Sequence, residues 1–287
     1  MNFAERMRKY EQAETSPEFM EQLPVLARMD GRAFHRFTKK LARPYDAVFH
    51  QMMIETTANL IWETSANFGY TTSDEITLCW INTDHNSQMI FGRKKQKLVS
   101  SLAAMTTAFF EQQKFRHNHQ VFIETTGTPC TFDARVWTVP TITEAINNFL
   151  WREQEATKNS ISMAARTLYS QKQLDGKTSD QQQEMMWVQG MNWNEYPADF
   201  KRGTYLIRSH ITMPFSAEEI EKLPEKHEAR TNPDLEVRRN VVKTLEIPPL
   251  GQIHNQHQVL VLGLEPILES DVDKLSKTFD EHEGVLF

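Results

Sequence analysis

The stretch RMDGRAFHRFTKK, Arg28 to Lys40, decides how the chain is read, together with SDE at Ser73 to Glu75. The first ends a short apolar run, Leu23–Asp30, on the carboxylate of Asp30. It passes at once through Gly31 into alternating basic and aromatic residues. The second opens another apolar run, Ile76–Trp80, with the adjacent carboxylates Asp74 and Glu75. Short apolar runs without helical period, bounded by turn signals, are the pattern of buried strands. If the two runs are neighbouring strands, Asp30 and Asp74 face each other across a small gap. Two carboxylates at such a gap are the least that two divalent cations and a nucleoside triphosphate require. Side chains alternate along a strand, so Glu75 is expected on the face opposite Asp74 and ranks behind it as a ligand. Spacing alone fits solvated strand-end carboxylates equally well.

Working outward, residues 1–22 read as a polar amphipathic helix broken at Ser16-Pro17. Apolar residues at Val48, Met52, Leu60 and Ile61 recur at helical spacing, which predicts a helix over 45–67. A strand is expected at 74–82, with QMIFG (88–92) returning as its hairpin partner. Leu98, Leu102, Met105 and Phe109 predict a second helix over 97–115. VFIETT (121–126) and CTFDARVWTVP (130–140) read as strands. The resulting order, β-α-β-β-α-β, is that of an α+β, ferredoxin-like antiparallel sheet with helices on one face. Residues 1–140 are therefore expected to form the catalytic core. Residues 141–287 are expected to form a helical and mixed region packed on it. That region starts with a long helix over Thr141–Ser170, capped by Thr141 or Thr143. Short helices over 171–202 and a strand at GTYLIRSHITM follow, with no assignment beyond Met213.

Several residues outside the two carboxylate runs carry possible chemistry. Gly31, Arg32, Ala33, Phe34 and His35 could let backbone groups approach a triphosphate, although no Walker A or GxGxxG motif is present. Phe34 and Phe37 are expected in the core ahead of a role as base-stacking platforms. The run Arg93, Lys94, Lys95, Lys97 opens a helix whose dipole favours anions there, a conflict that phosphate would resolve. Lys39, Lys40 and Arg43 add charge before Pro44, and Trp187 and Trp193 are expected in the core.

Composition bounds the function. The formal net charge of the 287 residues is −6, which argues against an extended polyanion-gripping surface. Cys79 and Cys130, each within an apolar run, read as free buried thiols and are too few for a zinc site. No run reaches the roughly 20 apolar residues of a membrane span. The charged N-terminus lacks a secretory h-region, so a cytoplasmic location is expected.

The combination RMDGRAFHRF, RPYD (Arg43–Asp46) and YTTSDE resembles the tRNA(His) guanylyltransferase superfamily. FDARV at Phe132–Val136, Trp151-Arg152 and FKRGT at Phe200–Thr204 extend the resemblance over about residues 1–210. The opening ERMRKYE is similar to the bacterial and archaeal branch, which acts as template-dependent 3′–5′ RNA polymerases. The resemblance implies a palm domain like that of ordinary polymerases. It implies that Asp30, Asp74 and the Gly31 carbonyl hold two Mg²⁺ ions, with Glu75 beside them. It places the nucleotide on Asp30 to His35 with Ser73 and Asp74. It places RNA phosphates on Arg28, Arg43, Lys94, Lys97, Arg152 and Asn159. The implied reaction activates an RNA 5′-phosphate with ATP or GTP, and the 3′-hydroxyl of an incoming nucleotide then attacks the activated end. Tetrameric assembly is implied too. Thr157-Lys158-Asn159-Ser160 stands where eukaryotic members carry His-Ile-Asn-Asn, and Ala33 stands where Asn is common. Both substitutions favour templated repair of tRNA 5′ ends over guanylate addition to tRNA(His). The same palm could also serve a nucleotide cyclase, a small-molecule nucleotidyltransferase or a non-catalytic RNA-binding protein.

Overall fold

The computed structural model describes residues 1–81, 89–117, 129–232 and 234–272. The expected strand at 121–126 lies outside these residues. The first apolar run is β1, Val25–Gly31, and it takes an interior place in the sheet, next to an edge strand, with most of its side chains buried on both faces. It follows α1 (Phe3–Thr15), an exposed helix closed at its start by a capping box of Asn2 and Glu5. After β1 come α2 (Phe34–Thr38) and α3 (Ala47–Thr64). Asp46 caps α3 by accepting the Phe49 N–H at 2.9 Å. Then follow β2 (Phe68–Thr72), β3 (Glu75–Trp80), α4 (Lys95–His117) and β4 (Phe132–Thr138).

The expected β-α-β-β-α-β order holds, but its central hairpin is a different one. Of QMIFG, the described residues Met89–Gly92 form no strand; Ile90–Arg93 is a 3-10 turn leading into α4. The hairpin partner of β3 is β2, joined to it by the two residues Ser73 and Asp74, with Thr72 paired to Glu75. The Ser73-Asp74 turn puts Ser73 at φ 51°, a left-handed conformation uncommon for serine.

A long helix, α5 (Ile142–Ala165), follows β4, capped by the Thr141 hydroxyl accepting the Glu144 N–H. Short helices α6 (Gln171–Leu174), α7 (Ser179–Val188) and α8 (Ala198–Arg202) lead to β5 (Thr204–Pro214), which pairs with β6 (Glu236–Leu245). The sheet has the order β4-β1-β3-β2-β5-β6, and every neighbouring pair is antiparallel. Strands from both halves of the sequence therefore share one hydrogen-bonded sheet.

The two faces have separate cores. Ala27, Met29, Ile76 and Leu78 pack against α3 and α4. Leu26, Phe68, Tyr70, Cys79, Tyr205 and Ile207 pack against Ala145, Ile146 and Phe149 of α5 and against Leu250, Ile253, Val259 and Leu260. The two core helices thus share one face, and the C-terminal elaboration covers much of the other. Cys79 and Cys130 are free and buried, as expected. Trp187 is corrected: it is 62% exposed on α7, whereas Trp193 donates its indole N–H to the Ser160 hydroxyl. Among the described residues, no helix is long and apolar enough to cross a membrane.

The turn after β1 is built around Phe34. Its ring is 3% exposed and packs with Phe37, Phe49, Phe110 and Phe132 at centroid distances of 4.9–6.3 Å. Gly31 is required here by close approach, since a Cβ at this position would lie 2.3 Å from Phe34 Cδ2. Gly31→Ala is expected to displace the ring and lower stability by about 1–3 kcal/mol, the usual cost of overpacking. Chemical denaturation checks this, and an unchanged midpoint would show that the turn gives way freely.

Candidate active site

The antiparallel register sets Asp30 on β1 opposite Glu75 on β3 and opposite Asp133 on β4. Beside them the hairpin turn presents Asp74. The Gly31 N–H donates to the Asp74 carbonyl at 3.1 Å, which ties the two backbones together. Asp30 and Asp74 are therefore brought together as expected, Asp74 from a turn rather than from within a strand. Burial raises the pKa of Asp74. The Ser73 hydroxyl, donating to Oδ1 at 3.0 Å, opposes that rise, and the neighbouring Asp30 charge adds to it.

Glu75 stands differently from the expectation. It faces the same side of the sheet as Asp30, where the guanidinium of Arg152 on α5 grips both of its oxygens. Nε donates to Oε1 at 2.7 Å and Nη2 to Oε2 at 2.6 Å. Arg28 Nε lies 3.9 Å from Oε2 on the other side. Burial raises the Glu75 pKa, while Arg152 and Arg28 pull against it. In this arrangement Glu75 holds a guanidinium rather than offering free oxygens.

Asp30, Ser73, Asp74, Glu75, Arg152 and Asn159 line one cavity of about 230 Å³. Its far wall holds residues the sequence reading assigned no role. Tyr45 donates its hydroxyl to Asp199 Oδ2 at 2.6 Å. Buried His50 places Nε2 3.0 Å from the Thr204 hydroxyl and 3.3 Å from Asp199. Burial lowers the His50 pKa and Asp199 partly offsets it, while burial and the Asp199 bond raise that of Tyr45. Arg135, within FDARV, was also missed; its Nη2 donates to Asp30 Oδ2 at 3.3 Å. No local spacing could have shown this, because the contact depends on strand register across 105 residues.

Other expected site residues lie off the cavity lining. Arg32, His35 and Arg43 are exposed. Lys94 and Lys97 are exposed at the start of α4, with the Lys97 ammonium 5.3 Å from the Phe91 ring centroid. The neighbouring Arg93 is partly neutralised by Glu21 at 2.7 Å and Glu18 at 3.9 Å. Phe34 is corrected as a side-chain contact to nucleotide, since its ring is core; only its backbone remains available. Ala33 takes φ 54° at the start of α2, where the first N–H groups of a helix lack intrahelical partners.

The residues present fit divalent-cation chemistry. Among the described residues, no three His, Cys, Asp or Glu side chains gather into a metal cage. One or two carboxylates open to a cleft is the hard-oxygen donor set with which Mg²⁺ binds substrate phosphates, rather than an all-protein cage. The like charges of the half-buried Asp30 and Asp74 would be relieved by a bound cation.

A ferredoxin-like sheet with paired carboxylates at its strand ends is consistent with a palm-like fold. Residues 4–140 match the family model for tRNA(His) guanylyltransferase. Solved structures of bacterial tRNA(His) guanylyltransferase-like protein align at 28% identity. The ATP complex gives a TM-score of 0.72, over 91% of this chain and 99% of that one. The GTP complex gives 0.66, over 90% and 96%. The tRNA(His) guanylyltransferase of Saccharomyces cerevisiae is 25% identical over 237 residues, 73% of this chain and 94% of the yeast protein. An uncharacterized protein of Acanthamoeba polyphaga mimivirus, R259, is 26% identical over 58% of this chain, which spans 62% of that relative's length. Over residues 4–140, just under half of its length, the chain is therefore similar to tRNA(His) guanylyltransferases, and over nine-tenths of its length its fold is similar to that of the bacterial guanylyltransferase-like protein.

Proposed function

We propose that this protein extends tRNA 5′ ends in the 3′–5′ direction with Mg²⁺, using ATP or GTP to activate the RNA 5′-phosphate. The observation that carries the reading is the convergence of Asp30, Asp74 and Arg152 on one cleft of a palm-like sheet. The RNA 5′-phosphate oxygen attacks the α-phosphorus of ATP, releasing pyrophosphate and leaving the 5′ end adenylylated. The 3′-hydroxyl of the incoming nucleotide then attacks the RNA 5′-phosphorus, and AMP leaves.

Asp30, Asp74 and the Gly31 carbonyl would hold the cations, which supply charge neutralisation at the phosphates. The remaining roles fall to the chain's own groups. The backbone of Gly31 to His35, with Arg32 and Ser73, positions the triphosphate. Glu75, fixed by Arg152 and Arg28, keeps a guanidinium facing the phosphates. Arg43, Lys94, Lys97 and Asn159 contact the RNA along its approach. Residues 1–140 supply the chemistry and residues 141–287 complete the RNA site. Assembly as a cytoplasmic homotetramer belongs to this reading through the family resemblance. Thr157 and Ala33 in place of the eukaryotic residues support templated repair as the main activity.

The reading is tested by incubating the protein with a tRNA lacking its first nucleotide, NTPs and Mg²⁺. A product one nucleotide longer at the 5′ end, formed only with the NTP complementary to the opposing base, is expected. Cyclic or dinucleotide products formed without RNA would instead identify a small-molecule nucleotidyltransferase.

A further inference from the structure

On the outer flank of α5, Trp151 leaves 48% of its surface in water. Its ring centroid lies 5.0 Å from the guanidinium carbon of Arg152, which lines the cleft. That guanidinium is held in place by its two hydrogen bonds to Glu75. A fixed cation thus supports the indole at the cleft rim. Among the described residues β4 is the edge strand on this side of the sheet, and the side chain of its Arg135 is 52% exposed beside Asp30 and lies in register with Arg28. Arg152 thus lines the cleft of Asp30 and Asp74, Arg28 and Arg135 reach the neighbouring carboxylates of Glu75 and Asp30, and the indole lies against Arg152. A planar aromatic surface flanked by guanidinium groups matches a nucleobase that carries phosphate.

We propose that Trp151 is the stacking platform for the terminal nucleobase at the 5′ end of the RNA, with the flanking arginines taking its phosphate. This rests on the reading of the cleft as an RNA 5′-end site and adds to it a residue that seats the RNA without contacting the NTP. The platform accepts any base, because every base offers a π face.

The test is equilibrium binding of a fluorescent RNA hairpin, measured by anisotropy without NTP, so that turnover plays no part. The 5′-terminal nucleotide is either intact or abasic, and the protein is wild type, Trp151→Ala or Trp151→Phe. Trp151→Ala is expected to bind the intact RNA about tenfold more weakly, and Trp151→Phe within about threefold of wild type. Wild type is expected to bind the abasic RNA about tenfold more weakly, with no further loss in Trp151→Ala, so that the two changes are fully coupled. Independent, additive losses overturn the proposal, because they show Trp151 acting through Arg152. So does a Trp151→Ala protein whose sedimentation changes while its RNA affinity does not, which would show the indole covered by a second copy. Binding of neither RNA by any of the proteins overturns this proposal together with the RNA reading of the cleft.

Discussion

Asp74→Asn is expected to reduce 5′-extension by at least about a thousandfold while raising the melting temperature at neutral pH. The first effect follows from the proposed mechanism, in which Asp74 is one of two carboxylates facing the reacting phosphates, where losses of several kcal/mol in transition-state stabilisation are common. The second follows from burial. The folded protein holds the Asp74 carboxyl above its ordinary pKa, chiefly by burial and further by Asp30. A carboxyl with a raised folded pKa is most favourable to folding when protonated, and its contribution is lost as pH rises through that pKa. Neutral asparagine avoids the cost of the charge. The stability gain is therefore expected at pH 7 and is expected to vanish in acid, where wild-type Asp74 is itself neutral. Calorimetry at two pH values and single-turnover extension check the two halves. Equal extension by the variant would remove Asp74 from the chemistry. An equal melting temperature at pH 7 would remove the burial argument.

The second large effect is expected at Arg152. Arg152→Met leaves the Glu75 carboxylate, 13% exposed, beside Asp30 and Asp74 without its two-point partner. Removing one partner of a buried ion pair costs about 3–5 kcal/mol. For a chain of this size that lowers the melting temperature by on the order of 10 °C. Glu75→Gln combined with Arg152→Met is expected to recover part of the loss, since the carboxylate is then no longer stranded, although Arg28 loses its charge partner. Activity is not expected to recover, because the guanidinium no longer faces the phosphates. A single variant that melts like wild type would show that Arg152 is not structurally required. It would then be a phosphate contact alone.

The carboxylate strand ends were legible because strand burial and turn residues are local signals. Asp30 could be placed at the end of β1 from the run before it, and Gly31 explained the turn. The hairpin was misread for a physical reason. A two-residue connection usually announces itself with glycine or asparagine, but here Ser73 takes the left-handed conformation, so the sequence shows no turn. FGYTT, with Gly69 and two threonines, was not read as a separate strand, yet it is buried on both faces. Gly69 is small there because a Cβ would meet Leu78 at 2.8 Å. The misplaced hairpin also reversed the expectation for Glu75, since the facing of a strand residue depends on its register. The wall of Tyr45, His50 and Asp199 was out of reach because it joins groups 154 residues apart. Trp187 was expected in the core because large aromatics usually are, but the exposed side of a short helix gives no such signal until its packing is known.

The central claim is that the Asp30–Asp74 cleft adds nucleotides at the 5′ end of RNA. The most direct measurement uses a 5′-truncated tRNA whose 3′-terminal ribose has been oxidised by periodate, so that nothing can be added at that end. Labelled GTP or ATP, Mg²⁺ and enzyme are added, and the position of the label is mapped by nuclease digestion. The account predicts label at the 5′ terminus at the rate seen with unblocked RNA, and none with Asp74→Asn. Incorporation that stops when the 3′ end is blocked would contradict it.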